Sequence, residues 1–355
     1  MKKWLSLYAA LVLLTACNQT KILDDLNLVQ VLGFDLAEGR KMKGMFVVAL
    51  YRGEKKMQTR MFSSIGKTGK EIKAQADLKS ALPLEIGQVR VIMFSKKFAQ
   101  HGVKEIINTL DRIPRVGNLA FPAVADGDLE NVLKTQYLEE EGVVGYLSSL
   151  IEQEIKMNKL PKSNLYLFSN SLYDNARDAY LPYISKEKDN LKVSGLALFR
   201  EDKLQYILPA KSMFIFKVLV EGFSNGVYGF YLRDQYAAIE NIKAQTHYSL
   251  TKDTQPVLNV KVKVKGKMQE LTQDKNLDNP KMVKQVEKAM EQAIQKEAEE
   301  MIHKFQKKGV DPLGIGKVYR AQTRGWNEEK WRDMYPSLKV RVNAETNIVQ
   351  SGVME

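Results

Sequence analysis

At 355 residues, 44% of them hydrophobic and 27% charged, the chain is too long for a single small module and too apolar for a disordered segment. A formal net charge of +12 calls for an anionic counterpart, either nucleic acid or anionic lipid. The single cysteine excludes an intramolecular disulfide and any CxxC metal or redox site, so stability must come from packed cores.

Lys2 and Lys3 form a positive start, followed by the uncharged, mostly apolar run Trp4 to Leu14. A membrane-spanning helix needs about 20 apolar residues, so this shorter run reads as the core of a signal peptide over residues 1–16. The next apolar stretch, Met213 to Leu232, is interrupted by Lys217 and Glu221 and does not qualify as a span. The leader ends Leu14-Thr15-Ala16-Cys17, which resembles the lipobox of bacterial lipoproteins. That resemblance implies cleavage between Ala16 and Cys17, lipidation of Cys17, and a protein held on the outer face of a membrane. Two or three acyl chains make a stable anchor where one does not. An exported protein meets no nucleic acid, which leaves an anionic membrane surface as the counter-charge for the basic excess.

Asn18 to Asp25 reads as a polar tether, and Leu26 to Phe34 and Met45 to Tyr51 as two strands of a hairpin. Lys70 to Leu82 is expected as a helix stopped by Pro83, Val89 to Phe94 as a strand covered on both faces, and Lys97 to Leu110 as one helix. Asn118 to Ala125 adds a strand and Glu140 to Asn158 an amphipathic helix. The polar run Ser185 to Asn190 suggests a domain boundary.

Beyond it, Lys192 to Arg200, Leu204 to Leu208 and Met213 to Val220 read as short strands. Leu258, Val260, Val262 and Val264 alternate with Asn259, Lys261, Lys263 and Lys265, so one face is core and the other cationic. Leu338 to Ile348 repeats the pattern. Between them a long helix runs from Pro280 to Lys308, with Asn279 as cap and Gly309 just beyond its end. The fold class expected is α+β and multi-domain: a mixed α/β region over 17–190, with room for two subdomains, then an antiparallel-rich sheet packed with one long helix over 191–355.

Constellations that carry chemistry are sparse. Gly222-Phe223-Ser224-Asn225-Gly226 fits the G-x-S-x-G elbow, which needs a strand before it and a helix after it; Val227 to Tyr231 reads as another strand, so Ser224 sits in a glycine-containing turn. His101, His247 and His303 are scattered and share no metal-ligand spacing. Gly309, Gly314 and Gly316 follow a helix where phosphate cradling would need them before one. Glu139-Glu140-Glu141 is accounted for by the dipole of the helix it starts. No catalytic residue, metal or cofactor is expected.

Several segments in order are similar to the Ger(x)C family, the lipoprotein C subunits of nutrient germinant receptors. They are Leu32-Gly33-Phe34-Asp35, Pro83 to Ser95 with Phe98-Ala99-Gln100-His101-Gly102, Leu181-Pro182-Tyr183-Ile184 with Val193 to Phe199, and Asp311-Pro312-Leu313-Gly314-Ile315-Gly316 leading to Trp326 and Trp331. After Cys17 the sequence departs from the family's usual Trp-Asp-Arg-Arg-Glu, with Asn18-Gln19-Thr20-Lys21 instead. The resemblance implies a non-enzymatic subunit of mixed α/β domains that assembles with two integral membrane subunits, A and B, and it carries over no catalytic residue.

Of Trp326 and Trp331, one is expected buried against the long helix and the other nearer the surface. Trp326, Lys339 and Arg341 are the candidates for a surface that docks the membrane subunits, because aromatic and Arg residues dominate interface hot spots. Two rival readings are a solute-binding lipoprotein, which would have two similar lobes around a cleft, and a lipid-anchored hydrolase using Ser224.

Overall fold

The computed structural model describes residues 25–349 apart from 53–55, 114–115, 136–141, 189, 252, 254 and 273–278. The first sheet opens on three antiparallel strands, β1 (Asn27–Leu36), β2 (Met42–Arg52) and β3 (Lys56–Gly66), the first two being the expected hairpin. Strand β4 (Leu84–Glu85) lies beside the start of β1. The sheet continues with parallel β5 (Val91–Ser95), β6 (Phe121–Ala125) and β7 (Tyr180–Glu187), then antiparallel β8 (Asn190–Arg200) and β9 (Lys203–Pro209). Its order is β3-β2-β1-β5-β6-β7-β8-β9. Every residue of β5 is buried, as a parallel strand covered on both faces must be.

Helices cover both faces. On one side α1 (Gly69–Asp77), α2 (Lys96–His101), α3 (Lys104–Asp111) and α6 (Leu165–Leu172) pack Ile72, Phe98, Ile107 and Phe168 against Leu32, Ile92, Phe94 and Phe199. On the other, α4 (Leu129–Lys134) and α5 (Gly142–Lys156) pack Leu133, Val144 and Leu147 against Val31, Met93 and Leu198.

Two expected helices are shorter than the sequence suggests. α1 ends at Asp77, six residues before Pro83, and the Asp77 Oδ1 accepts from the Leu84 N–H where the chain enters β4. The single helix expected over Lys97 to Leu110 is α2 and α3, broken at Gly102, where φ is +140°. There the Val103 N–H donates to the Asp202 carbonyl and the Lys104 N–H to the Asp202 carboxylate, so the turn between β8 and β9 takes the place of a continuing helix.

The polar run expected as a boundary falls where β7 ends at Glu187 and β8 begins at Asn190, paired as one hairpin, with Lys188 at φ +54°. The first sheet therefore crosses the expected boundary and ends at Pro209. The next segment, Met213–Val220, is a helix, α7, and not a strand. A short apolar run fits either element, and this one is buried nearly all round, with Lys217 paired to Glu221 one turn on. Its last carbonyls are satisfied in helical fashion by side chains of the second sheet: Thr246 donates to the Val218 oxygen and Tyr248 to that of Leu219.

The second sheet has the order β10-β11-β12-β13, formed by Val227–Leu232, Gln235–Leu250, Val257–Leu271 and Lys339–Val349. The first three strands are antiparallel, but β12 and β13 are parallel, because α8 (Pro280–Lys308), α9 (Ile315–Gln322) and α10 (Glu328–Met334) form the crossover that a parallel pair requires. The Asn279 side chain accepts from the Lys281 N–H, and Gly309 closes α8 at φ +65°. Val286, Met290, Ile294, Ile302 and Phe305 pack beneath the sheet, with Val283 and Ala293 partly buried beside them. Glu299, Glu291 and Glu287 of α8 accept from the N–H groups of Val342, Thr346 and Ile348, at 3.1, 3.0 and 2.8 Å, so the helix caps the open edge of β13 against pairing with another strand. One continuous core joins the α5 face of the first sheet, α7, and the inner face of the second sheet.

Candidate functional site

Cys17, Ala16 and the Glu139-Glu140-Glu141 cluster lie outside the described residues. Ser224 is exposed in the turn between α7 and β10. The order there is helix, turn, strand, the reverse of a nucleophile elbow. His101, His247 and His303 are exposed on α2, β11 and α8 respectively. Among the described residues, no three His, Cys, Asp or Glu side chains gather to hold a metal ion. Ser224→Ala is expected to leave stability within about 0.5 kcal/mol of the parent, as at any exposed turn position. Urea unfolding checks it, and a hydrolytic activity of the purified parent that is lost in the folded variant would revive the hydrolase reading.

The two tryptophans divide as expected. Trp331 is 1% exposed, with Tyr319 at 5.3 Å on one side and Tyr335 at 5.2 Å on the other. Tyr335 is tied to α8 through the Gln306 side chain, which donates to its carbonyl. Trp326 is half-buried, edge-on to Tyr319, with the Arg320 guanidinium 5.8 Å above its ring. Its Nε1–H is buried without a hydrogen-bond partner. Trp326 packs with the core beneath the second sheet, whereas Lys339 and Arg341 alternate with the inward Val340 and Val342 and project from the sheet's other face. The three docking candidates therefore do not share one surface.

Lys339 and Arg341 belong instead to a larger cationic face. The register sets Lys243 opposite Lys265 and Asn347, Gln245 opposite Lys263 and Glu345, and His247 opposite Lys261 and Asn343. Ser249, Asn259 and Arg341 form the next row, and Lys339 stands beside Val257. Glu345 is the one carboxylate in these rows. It pairs with Lys261 at 2.5 Å and reaches Lys263 at 3.6 Å, and the Lys261 hydrogen bond holds its carboxyl below the usual range.

A second cluster, not anticipated from the sequence, locks the two sheets together. Asp178, just before β7, accepts from both Arg332 terminal nitrogens at 3.1 Å and from the Asp311 N–H at 2.6 Å, while its own N–H donates to the Asp311 carbonyl. The Asp311 carboxylate caps α9 by accepting from the Ile315 and Gly316 N–H groups. Arg177 donates through Nε to the Pro312 carbonyl. Burial pushes the Asp311 carboxyl up to about 7 despite those N–H donors. Burial also works against the Arg332 charge, but the hydrogen bonds and field of Asp178 outweigh it. Gly316 is needed for contact: a Cβ there would lie 2.7 Å from Trp331 Nε1 and 2.8 Å from the Ala176 carbonyl oxygen. The motif Asp311 to Gly316 was visible in the sequence, but its partner Asp178 lies 133 residues away.

The comparisons with known proteins agree with this architecture. A family described as "Spore germination protein N-terminal domain" matches residues 19–186, and one described as "Spore germination B3/ GerAC like, C-terminal" matches residues 194–352. The two matches meet at the β7–β8 hairpin, although the first sheet continues across it. Spore germination protein GerQC of Bacillus cereus is 42% identical over 359 residues, covering all of both chains. Spore germination protein KC of Bacillus subtilis (strain 168) is 32% identical over 102 residues, 28% of this chain and 25% of that one. The crystal structure of the GerBC protein superposes with a TM-score of 0.61 at 17% identity, covering 90% of this chain and 96% of that one, which establishes a common α+β fold. With both halves matched and a relative aligned from end to end, the chain belongs to the Ger(x)C family of spore germination proteins.

Proposed function

We propose that this protein is the lipid-anchored C subunit of a nutrient germinant receptor, processed before Cys17 and held by its acyl chains on the outer face of a membrane. There it assembles with the two integral membrane subunits, A and B, and acts as a scaffold without catalysing a reaction. The observation that carries the reading is the end-to-end match to a germination protein on a chain whose leader ends in the lipobox sequence Leu14-Thr15-Ala16-Cys17. Among the described residues no helix is long and apolar enough to cross a membrane, in keeping with a lipid anchor. The rival readings draw no support from the fold. A solute-binding lipoprotein needs two similar lobes around a cleft, and the two sheets here differ in strand number and direction and share a core.

The test is Cys17→Ala. The variant is expected to carry no lipid, to leave the membrane fraction on salt washing or to keep its leader, and to fail to co-purify with the membrane subunits. Mass spectrometry of the N-terminus and fractionation check it. Full retention after salt washing of a processed, unacylated protein would overturn the anchoring.

A further inference from the structure

Between the irregularity after Asn241 and its Val257 end, the outer face of the second sheet carries Lys243, Lys261, Lys263, Lys265, Lys339 and Arg341 against a single carboxylate, Glu345; the row beyond the irregularity sets Glu240 opposite Lys267. The six cations and Glu345 are exposed. Successive rows on a strand face are about 6.8 Å apart and neighbouring strands about 4.8 Å, so the six cations occupy an area of about 27 by 10 Å. This arrangement costs the fold. Lys243 and Lys265 stand directly opposite each other, and like charges in that position repel. Lys261, Lys263 and Lys265 follow one another along a single face of β12, and Glu345 reaches only the first two. The helices that belong to this sheet, α7 to α10, pack on its inner face and leave this one open.

We propose that this face lies against an anionic lipid surface. The choice of a lipid surface over an acidic protein rests on what the face lacks as well as what it has. A protein interface is anchored by a desolvated aromatic or apolar centre; the exposed Val227, Tyr231 and Tyr236 lie at the β10 end of the sheet, whereas the rows between the cations hold Gln245, His247, Ser249, Asn259, Asn343 and Asn347. Five of the six cations are lysines, point charges on flexible stems that suit a mobile, diffuse layer of phosphates; fixed bidentate pairing would favour arginine. Each such residue near an anionic leaflet adds attraction that falls off within a Debye length. The proposal deepens the lipid-anchored reading: the acyl chains would hold the protein at the membrane, and the cationic face would set which side of the C-terminal domain meets it.

Flotation of the full chain with vesicles separates the two. One set of vesicles is phosphatidylcholine alone and the other contains about one third phosphatidylglycerol; each is run at low and at high salt. The anchor binds both sets at any salt, and the face adds a part that needs the anionic lipid and is lost in high salt. Lys261→Gln with Lys263→Gln and Lys265→Gln is expected to weaken the anionic-lipid component by about 10- to 100-fold and to leave binding to neutral vesicles unchanged. Lys339→Gln with Arg341→Gln, at the other end of the face, should weaken it by about 10-fold, which guards against a folding defect in the triple variant. In Cys17→Ala the neutral-vesicle binding goes and the salt-sensitive component stays, so failure of the anchor and failure of the face give different results. An anionic-lipid preference that survives both sets of substitutions, or none in the parent protein, would overturn the proposal. So would variants that float like the parent but no longer co-purify with the membrane subunits, since a protein partner would then own the face.

Discussion

Replacing Arg332 with Ala is expected to lower the free energy of unfolding by about 3–5 kcal/mol, the cost of breaking a buried ion pair by removing one partner. Asp178 is 3% exposed and Asp311 1%, so neither carboxylate can recover its solvation once the guanidinium has gone. The damage reaches the junction of the two sheets, because Asp178 also holds the Asp311 backbone and Asp311 caps α9. The same cluster predicts a pH dependence. An Asp311 carboxyl held at about 7, above its ordinary 3.8, keeps a proton in the fold that the unfolded chain has already released. The folded state therefore binds more protons between those values, and this contribution to stability is greatest at the acid end and lost as pH rises through about 7. Urea midpoints of the parent should fall between pH 5.5 and pH 8. Asp311→Asn should flatten that slope, and an unchanged slope in the Asn variant would remove Asp311 as its source.

Trp331→Ala should cost a similar amount, about 3–5 kcal/mol, the usual penalty for emptying a fully buried tryptophan site. Its indole packs against Tyr319, Tyr335 and Gly316, a site walled by α9 and the turn that follows α10, which cannot readily collapse. Trp326→Ala should cost much less, about 1 kcal/mol, because one side of that ring already meets solvent and its buried Nε1–H has no partner to lose. Guanidinium unfolding measures both. Fluorescence distinguishes the sites, since loss of Trp331 should shift the remaining emission to the red and loss of Trp326 to the blue. Equal costs at the two positions would mean that Trp326 is as fully packed as Trp331.

Elements whose cues are local were legible from the residues alone. The long helix from Pro280 to Lys308 declares itself through Asn279, Pro280 and Gly309. The strand from Val257 shows itself through strict alternation of valine and lysine, and β5 through an unbroken apolar run. In each, backbone conformation and side-chain period depend on neighbours a few residues away. The α+β class and the cationic side of the β12 and β13 strands followed directly. What the sequence could not decide were features set by distant partners. Met213–Val220 is apolar at nearly every position and carries no period, and only burial beneath β11 makes it a helix. The sixteen-residue β11 was hidden because irregularities after Ala238 and Asn241 shift its phase, so inward Ile239 and inward Ala244 fall out of step in the sequence. Gly102 breaks a helix that local propensity would have continued, because Asp202 supplies competing acceptors. Register across three strands is what gathers six cations onto one face and leaves Trp326 on the other side, and the Asp178, Asp311 and Arg332 lock exists only once the chain has closed a loop of more than a hundred residues. Pairings of that length depend on the whole core forming, and no local pattern encodes them.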